Sequence, residues 1–183
     1  MKENKTKYVI LGLLTEGDLT GYDIKKIIDV RFHFFWNESY GQLYPELKKL
    51  VGQGWITEKK AVGSSKREKI SYAITEKGLT ALREWLVRPA EKESVRFEIL
   101  LKMYFSSLAD DDAISVQIAE FRSRYEEQLM ILGLFEKELK NISSQHGNHP
   151  DILRVIDFGQ RVYRAYVEWS DETLNYLKGR DKK

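Results

Sequence analysis

The chain has 183 residues, of which 42% are hydrophobic and 32% charged, which is enough apolar surface for one or two folded domains and excludes a disordered chain. It contains no cysteine, which excludes disulfide bonds and thiolate chemistry and is typical of a reducing cytoplasm. The net charge is +2, and no apolar run approaches the roughly 20 residues of a membrane span, so we expect a soluble cytoplasmic protein with no membrane partner.

The first two predicted helices lie within the first 30 residues. Tyr8–Leu14 is a compact apolar segment that the polar residues 15–18 end. Thr20 is the predicted N-cap of the second helix, and Asp23 at its third position resembles the acid of a capping box. Residues 32–36 then crowd four aromatic side chains around a histidine, which we interpret as an aromatic plug between helices, with a ligand site as the alternative.

The third predicted helix has an apolar stripe and a polar face. The stripe repeats at helical period and consists of Leu43, Leu47, Leu50 and Val51. The polar face consists of Ser39, Tyr40, Gln42, Glu46, Lys48, Lys49 and Gln53. Ser39 with Gln42 fits a capping box, and Gly52 supplies the end of the helix. Pro45 leaves two alternatives, because either the helix begins nearer Leu43 or it is kinked at the proline.

A β-hairpin and a fourth helix follow. The strands are predicted at Trp55–Val62 and Glu68–Ile74, and residues 63–67 form a basic turn between them. Thr75 to Gly78 starts the fourth helix, which ends at Arg88-Pro89. Three helices followed by a hairpin predict a winged helix-turn-helix domain over residues 1–89.

Five short motifs in this half occur in an order and spacing that resemble one known family. They are Y-V-I-L-G-L-L at 8–14, L-T-G-Y-D-I at 19–24, Q-L-Y-P-E-L-K-K-L at 42–50, G-W-I at 54–56 and Y-A-I-T-E-K-G at 72–78. The run resembles the DNA-binding domain of the PadR family of bacterial transcriptional regulators. This resemblance implies DNA binding, a bias toward repression, and in many members a response to small aromatic molecules. PadR-like sequences often carry more basic residues on the third helix than Lys48 and Lys49 here, so the operator sequence is not implied.

The second half is similar to PadR-like regulators only in being helical. A polar linker at residues 90–94 separates it from the first half. We predict a buried helix at Val95–Phe105, with core positions at Phe97, Leu100, Leu101, Tyr104 and Phe105. A long helix follows from Asp110, residues 143–150 are a polar break, and a last helix runs from about Asp151 to Leu177.

The last helix carries a heptad-like seam, which favours pairing between two chains. The predicted dimerisation residues are Ile152, Val155, Val162, Tyr166, Trp169 and Thr173. The alternative is a helical hairpin within one chain. Overall we predict a mainly α-helical protein with a small β-hairpin, built as an N-terminal winged helix-turn-helix and a C-terminal helical dimerisation domain over residues 95–183. A two-fold homodimer would place two winged helices on successive turns of double-stranded DNA, about 34 Å apart.

The predicted DNA contacts come from the third helix, from Tyr22 and from the wing, which is the predicted hairpin of residues 55–74. Residues 1–90 hold 16 Lys and Arg against 11 Asp and Glu, a balance of +5, whereas residues 91–183 hold 14 against 17, a balance of −3. The contact residues are Tyr22, Ser39, Tyr40, Gln42, Tyr44, Lys48 and Lys49, with Ser64, Ser65, Lys66 and Arg67 at the tip of the wing. Gln42 is the candidate for pairing with adenine. For Tyr22 and Tyr44 the alternative is a half-buried core tyrosine.

Other function classes find little support in the residues. His146 and His149 form an H-x-x-H in a predicted loop, too few ligands for a zinc site, and we predict neither metal nor cofactor. Nucleotide-binding and hydrolase fingerprints are absent, which argues against an enzyme. A helical dimer that binds another protein without specific DNA binding is the alternative function. Trp85, Tyr163, Tyr166 and Trp169 are either core residues or the walls of a pocket for a small aromatic effector.

Overall fold

The computed structural model describes residues 4–36, 39–61, 69–141 and 148–180. The chain divides into two compact units, Met1–Glu91 and Lys92–Lys183. The elements of the first unit are α1 (Thr6–Leu14), β1 (Leu19–Thr20), α2 (Gly21–Ile27), α3 (Tyr40–Gly52), β2 (Ile56–Ala61), β3 (Lys69–Ile74) and α4 (Glu76–Leu86). The elements of the second are α5 (Glu98–Tyr104), a 3₁₀ turn (Ser106–Leu108), α6 (Asp111–Asn141) and α7 (His149–Lys178). In the described part of the chain, no helix is both long and apolar enough to cross a membrane.

The core of the first unit lies between its three first helices and the sheet. Its buried members are Tyr8, Ile10, Leu11, Leu13, Leu14, Ile24, Ile28, Leu43, Leu47, Leu50, Ile56, Tyr72 and Leu82. The Tyr8 ring stacks on the Trp85 ring with centroids 4.5 Å apart and planes at 8°, so α4 returns onto α1. α1 therefore packs on α3 through the shared core and on α4 through this stacked pair.

The sheet has three antiparallel strands in the order β1-β3-β2. The predicted hairpin is confirmed, with a register that runs from Ile56 opposite Ile74 to Ala61 opposite Lys69. β1 was not predicted, since two residues are too few to show an alternating pattern. It pairs with β3 at Leu19–Tyr72 and Thr20–Ser71, which anchors the start of α2 to the wing.

The predicted start of α2 is confirmed. The Thr20 hydroxyl accepts a hydrogen bond from the Asp23 N–H at 3.1 Å, and the Asp23 carboxylate accepts one from the Thr20 N–H at 3.1 Å. These reciprocal bonds satisfy N–H groups that a helix start otherwise leaves without partners. Beyond Ile27 the helix widens into a π-helical turn, Ile28–Phe32.

The aromatic residues after this turn contact one another. Phe35 lies 5.5 Å from Phe32 and 4.7 Å from Phe34 between ring centroids, and Phe32 packs on the core. Phe32 thus packs as expected of an aromatic plug, whereas Phe35 is half-exposed.

α3 begins at Tyr40 and continues through Pro45 to Gly52. Of the two alternatives for Pro45, a start nearer Leu43 is therefore wrong. Pro45 has no N–H, so the Gly41 carbonyl lacks its usual helical donor. After the helix Gly54 has φ of +70°, a left-handed conformation that suits glycine and turns the chain into β2.

The second unit is a helical hairpin with a short helix at its base. α6 and α7 run antiparallel, as shown by ion pairs between Arg122 and Asp171 at 2.5 Å and between Asp111 and Arg180 at 3.1 Å. Ile114, Ile118 and Leu177 form a small core within the unit. The intrachain hairpin that was the alternative to a dimer seam is thus present in the single chain.

The prediction of a buried α5 is wrong for much of its length. Ile99 and Met103 pack on the core of the second unit, because a seven-residue helix turns one face inward. The predicted core positions Leu100, Leu101, Tyr104 and Phe105 are instead exposed in the single chain, and Phe97 is half-buried.

Candidate nucleic-acid interface

α3 turns its apolar stripe inward and leaves a polar face open to solvent. Leu43, Leu47 and Leu50 have no exposed surface, which fixes the rotation of the helix about its axis. The exposed residues on the opposite side include four predicted DNA contacts, Gln42, Tyr44, Lys48 and Lys49. A helix that is held in the core by one side and presents amide, phenol and ammonium groups on the other has the form of a groove-reading helix.

Gln42 is tied to the start of α3. Its side-chain oxygen accepts hydrogen bonds from the Ser39 N–H at 3.1 Å and from the Ser39 hydroxyl at 3.0 Å. Pairing with adenine uses both the oxygen and the NH₂ group of an amide. To pair with adenine through both groups, Gln42 must therefore give up its hydrogen bonds with Ser39.

The two candidate tyrosines differ in their surroundings. Tyr22 at the start of α2 is 62% exposed, so the interpretation as a half-buried core tyrosine is wrong for it. Tyr44 is partly exposed, and its ring lies against Gly21. Burial raises the pKa of Tyr72 of β3, and the Glu58 carboxylate and Tyr44 add to the increase.

The wing tip lies outside the described residues, and so do the predicted contacts Ser64, Ser65, Lys66 and Arg67. The side chain of Tyr40 also lies outside them, although its backbone begins α3. In β2, one strand of the wing, the Lys59 ammonium donates to the Asp18 carboxylate at 2.6 Å. This cation is thus paired with an anion of the same unit.

The two lysines of α3 are not equivalent. Lys48 is exposed, whereas the Lys49 ammonium lies 3.5 Å from the Glu46 carboxylate. The placement of Glu46 on the polar face is wrong, because this residue is buried within the apolar stripe. The spacing of three residues from Leu43 and four to Leu50 was the signal that could have shown it.

The predicted dimerisation residues fall on several sides of α7. Tyr166 and Trp169 both lie 5.9 Å from Phe121 of α6 between ring centroids. Thr173 is buried, and its hydroxyl donates to the Trp169 carbonyl at 2.7 Å. Ile152 and Val162 are half-buried, and Val155 is exposed. Three of the six therefore pack within their own chain, and a role of the set between chains stays a prediction.

An aromatic pocket opens in the second unit. It has a volume of about 210 Å³ and is lined by Phe97, Leu100, Phe121, Tyr166 and Trp169. Beside it, burial raises the pKa of Tyr163 to about 12, and Tyr125 and Tyr166 add to the increase. Trp85, the fourth aromatic residue considered for an effector site, is stacked on Tyr8 in the first unit.

Each of the two units matches a model of a known protein family. Residues 10–84 match the Transcriptional regulator PadR-like family, and residues 95–178 match the model described as Virulence activator alpha C-term. The negative transcriptional regulator PadR of Bacillus subtilis is 33% identical over 172 residues, which cover 92% of this chain and 94% of the relative. The chain belongs to the PadR-like family of transcriptional regulators. The predicted winged helix and helical C-terminal domain are those of this family.

Solved PadR structures are similar in fold to this protein over nearly its whole chain. The structure of Bacillus subtilis PadR in complex with operator DNA has a TM-score of 0.82 and 32% identity, and the match covers 95% of this chain and 99% of that one. The structure of the same PadR with p-coumaric acid has a TM-score of 0.75 and 30% identity, over 96% and 99% of the two chains. One relative of the PadR-like chain described here thus binds both an operator and a phenolic acid.

Proposed function

We propose that this PadR-like protein is a cytoplasmic repressor that binds operator DNA as a homodimer through α3 and the wing. The observation that carries the proposal is the exposed face of α3, where Gln42, Lys48 and Lys49 are held outward by a fully buried leucine stripe. The similarity to a PadR that was solved with operator DNA supports the same mode of binding. This function needs no catalytic group.

The second unit would supply the dimer. It leaves large apolar side chains exposed in the single chain, at Leu101, Tyr104, Phe105, Leu108, Met130, Leu134, Val155 and Phe158. Large apolar side chains left in solvent in such number favour an interaction site. A second copy of the chain would cover it and bring two copies of α3 to successive major grooves.

A small aromatic molecule would release the DNA. The pocket beside Trp169 is walled by aromatic rings and has the volume to hold a single-ring compound. The relative that was solved with p-coumaric acid supports a phenolic effector. Addition of p-coumaric acid should quench Trp169 emission and lower DNA affinity together, and quenching without release would make the pocket an incidental binding site.

The test uses a pool of genomic fragments that includes the region upstream of the protein's own gene. Fragments retained by the protein are measured by fluorescence anisotropy against an unrelated duplex of equal length, at several salt concentrations. We expect competitor-resistant binding that weakens steeply with salt. Equal binding to all fragments would contradict a sequence reader. Transcription in vitro from a retained promoter should fall on addition of the protein, and a rise would contradict repression.

The exposed apolar residues of the second unit also suit a second candidate function, a helical dimer that binds another protein and lacks specific DNA binding. This alternative predicts no salt-sensitive affinity for any fragment in the pool. The same anisotropy measurement therefore separates the two functions.

A further inference from the structure

Glu46 occupies a position in α3 that the core would fill better with an apolar side chain. It is 6% exposed and lies in the same stripe as Leu43, Leu47 and Leu50. Burial of a carboxylate is unfavourable unless it is well paired and hydrogen-bonded. A residue that breaks the pattern of its helix without a gain in stability is a candidate for a functional role.

One oxygen of this carboxylate is tied to the start of α1. Glu46 Oε2 accepts a hydrogen bond from the Asn4 side-chain NH₂ at 3.3 Å. The Asn4 oxygen in turn accepts from the Thr6 N–H at 2.9 Å and from the Thr6 hydroxyl at 2.5 Å. Asn4, just ahead of α1, therefore holds this oxygen without the help of Lys49.

The other oxygen faces the lysine on the exposed side of the helix. Glu46 Oε1 lies 3.5 Å from the Lys49 ammonium and accepts no hydrogen bond within the described part of the chain. The Lys49 side chain is 54% exposed, so its charge can reach both DNA and the buried anion. Lys48, the preceding residue, is exposed and has no ion pair among the described residues, so it serves as a comparison within the same helix.

We propose that Glu46 is a specificity-determining residue, which restrains the Lys49 ammonium and offsets its charge when the protein meets arbitrary DNA. The proposal rests on the proposed function, because it takes α3 as the helix that enters the groove. On a wrong sequence the ammonium stays with Glu46 and adds little affinity. On the operator, where the fit of α3 brings a phosphate close, Lys49 exchanges the carboxylate for the phosphate. Glu46 thereby lowers affinity for unrelated DNA more than affinity for the operator.

The first test leaves Glu46 intact and compares two substitutions, Lys49→Gln and Lys48→Gln. The measurement is the slope of log affinity against log salt for the operator and for an unrelated duplex. Lys49→Gln should reduce the slope by about 0.9, one phosphate contact, on the operator and by much less on the unrelated duplex. Lys48→Gln should reduce the slope equally on both duplexes. An equal reduction of the slope on the operator and on the unrelated duplex for Lys49→Gln would overturn the proposal.

The second test removes the restraint. Glu46→Gln keeps the acceptor for Asn4 and should raise affinity for the unrelated duplex about fivefold while operator affinity changes less than about twofold. In a Lys49→Gln background the same change should have no effect on the ratio of the two affinities. An unchanged ratio in the single variant, or an equal change in both backgrounds, would overturn the proposal. If the wild type itself bound the operator and the unrelated duplex with equal affinity, that result would instead contradict the proposed function.

Discussion

The ring of Tyr44 lies so close to Gly21 that a Cβ atom placed on Gly21 would come 2.8 Å from Tyr44 Cε1. Gly21 opens α2 and Tyr44 lies on the exposed side of α3, so this contact sets where the phenol stands. Gly21→Ala should push the half-exposed ring aside, at a cost in unfolding free energy below about 1 kcal/mol. If Tyr44 contacts DNA, operator affinity should fall as far as it does in Tyr44→Ala.

The control for this variant is Gly12→Ala. Gly12 lies inside α1, and apart from its chain neighbours and the backbone of its own helix no atom lies within 4 Å of an added Cβ, so alanine there should stabilise the helix by about 0.5–1 kcal/mol and leave DNA affinity unchanged. Thermal unfolding and anisotropy of both variants check the prediction. Wild-type affinity in Gly21→Ala would show that the position of Tyr44 is not used in binding.

Gln42→Glu should distinguish two roles of this side chain, which are to cap the start of α3 and to contact a base. A carboxylate oxygen can still accept from the Ser39 N–H and hydroxyl, and a negative charge suits the first turn of a helix, so the unfolding temperature should stay within a few degrees of wild type. The NH₂ donors are lost and a charge is added against the DNA. Operator affinity should therefore fall at least about tenfold.

Anisotropy and thermal unfolding of Gln42→Glu and Ser39→Ala give the check. Ser39→Ala removes one donor to Gln42 and should lower the unfolding free energy by about 0.5–2 kcal/mol, since it weakens the cap. It keeps the amide at position 42. Equal affinity losses in the two variants would mean that binding depends on the cap alone.

If the protein is the proposed homodimer, Leu101→Glu should convert it to a monomer without unfolding the chain. Leu101 is 62% exposed in the single chain, so a glutamate there costs little within one copy but places a charge in an apolar contact between copies. Light scattering after size exclusion measures the mass, and the helical circular dichroism signal reports folding. A dimer of unchanged mass would exclude α5 from the interface.

The matched comparison is Leu132→Ala. Leu132 of α6 is fully buried, so its truncation should lower the unfolding free energy by about 2–5 kcal/mol and leave the mass of the native protein equal to that of the wild type. Together the two leucines separate a loss of association from a loss of core packing.

The elements that the sequence predicted well are those with local signals. Thr20 with Asp23 marks the start of α2, and the leucine period of α3 orients its polar face, because capping and helical periodicity depend on residues a few positions apart. β1 and the inward face of α5 depend on partners distant in the chain. The burial of Glu46 follows from its spacing to Leu43 and Leu50, but its hydrogen bond with Asn4, which is 42 positions away, has no local signal.

The aromatic cluster of the second unit should make its stability fall at alkaline pH. Tyr163 is buried, and its pKa is raised to about 12 by burial and by its neighbours Tyr125 and Tyr166, against 10.0 for the unperturbed group. Between pH 10 and 12 the unfolded chain loses this proton and the folded chain keeps it. The stabilisation is therefore complete below pH 10 and declines as the pH rises to 12.

The expected loss in unfolding free energy is about 1–2 kcal/mol after allowance for solvent near the ring. Tyr163→Phe removes the phenol, so the free energy of unfolding of this variant should depend less on pH than that of the wild type over this interval. Tyr176→Phe is the control, because Tyr176 lies on the same helix with 58% of its surface exposed, and it should keep the wild-type dependence. Urea unfolding at pH 8, 10 and 11.5 measures the three proteins. Parallel curves for wild type and Tyr163→Phe would show that the Tyr163 phenol titrates alike in the folded and unfolded chains.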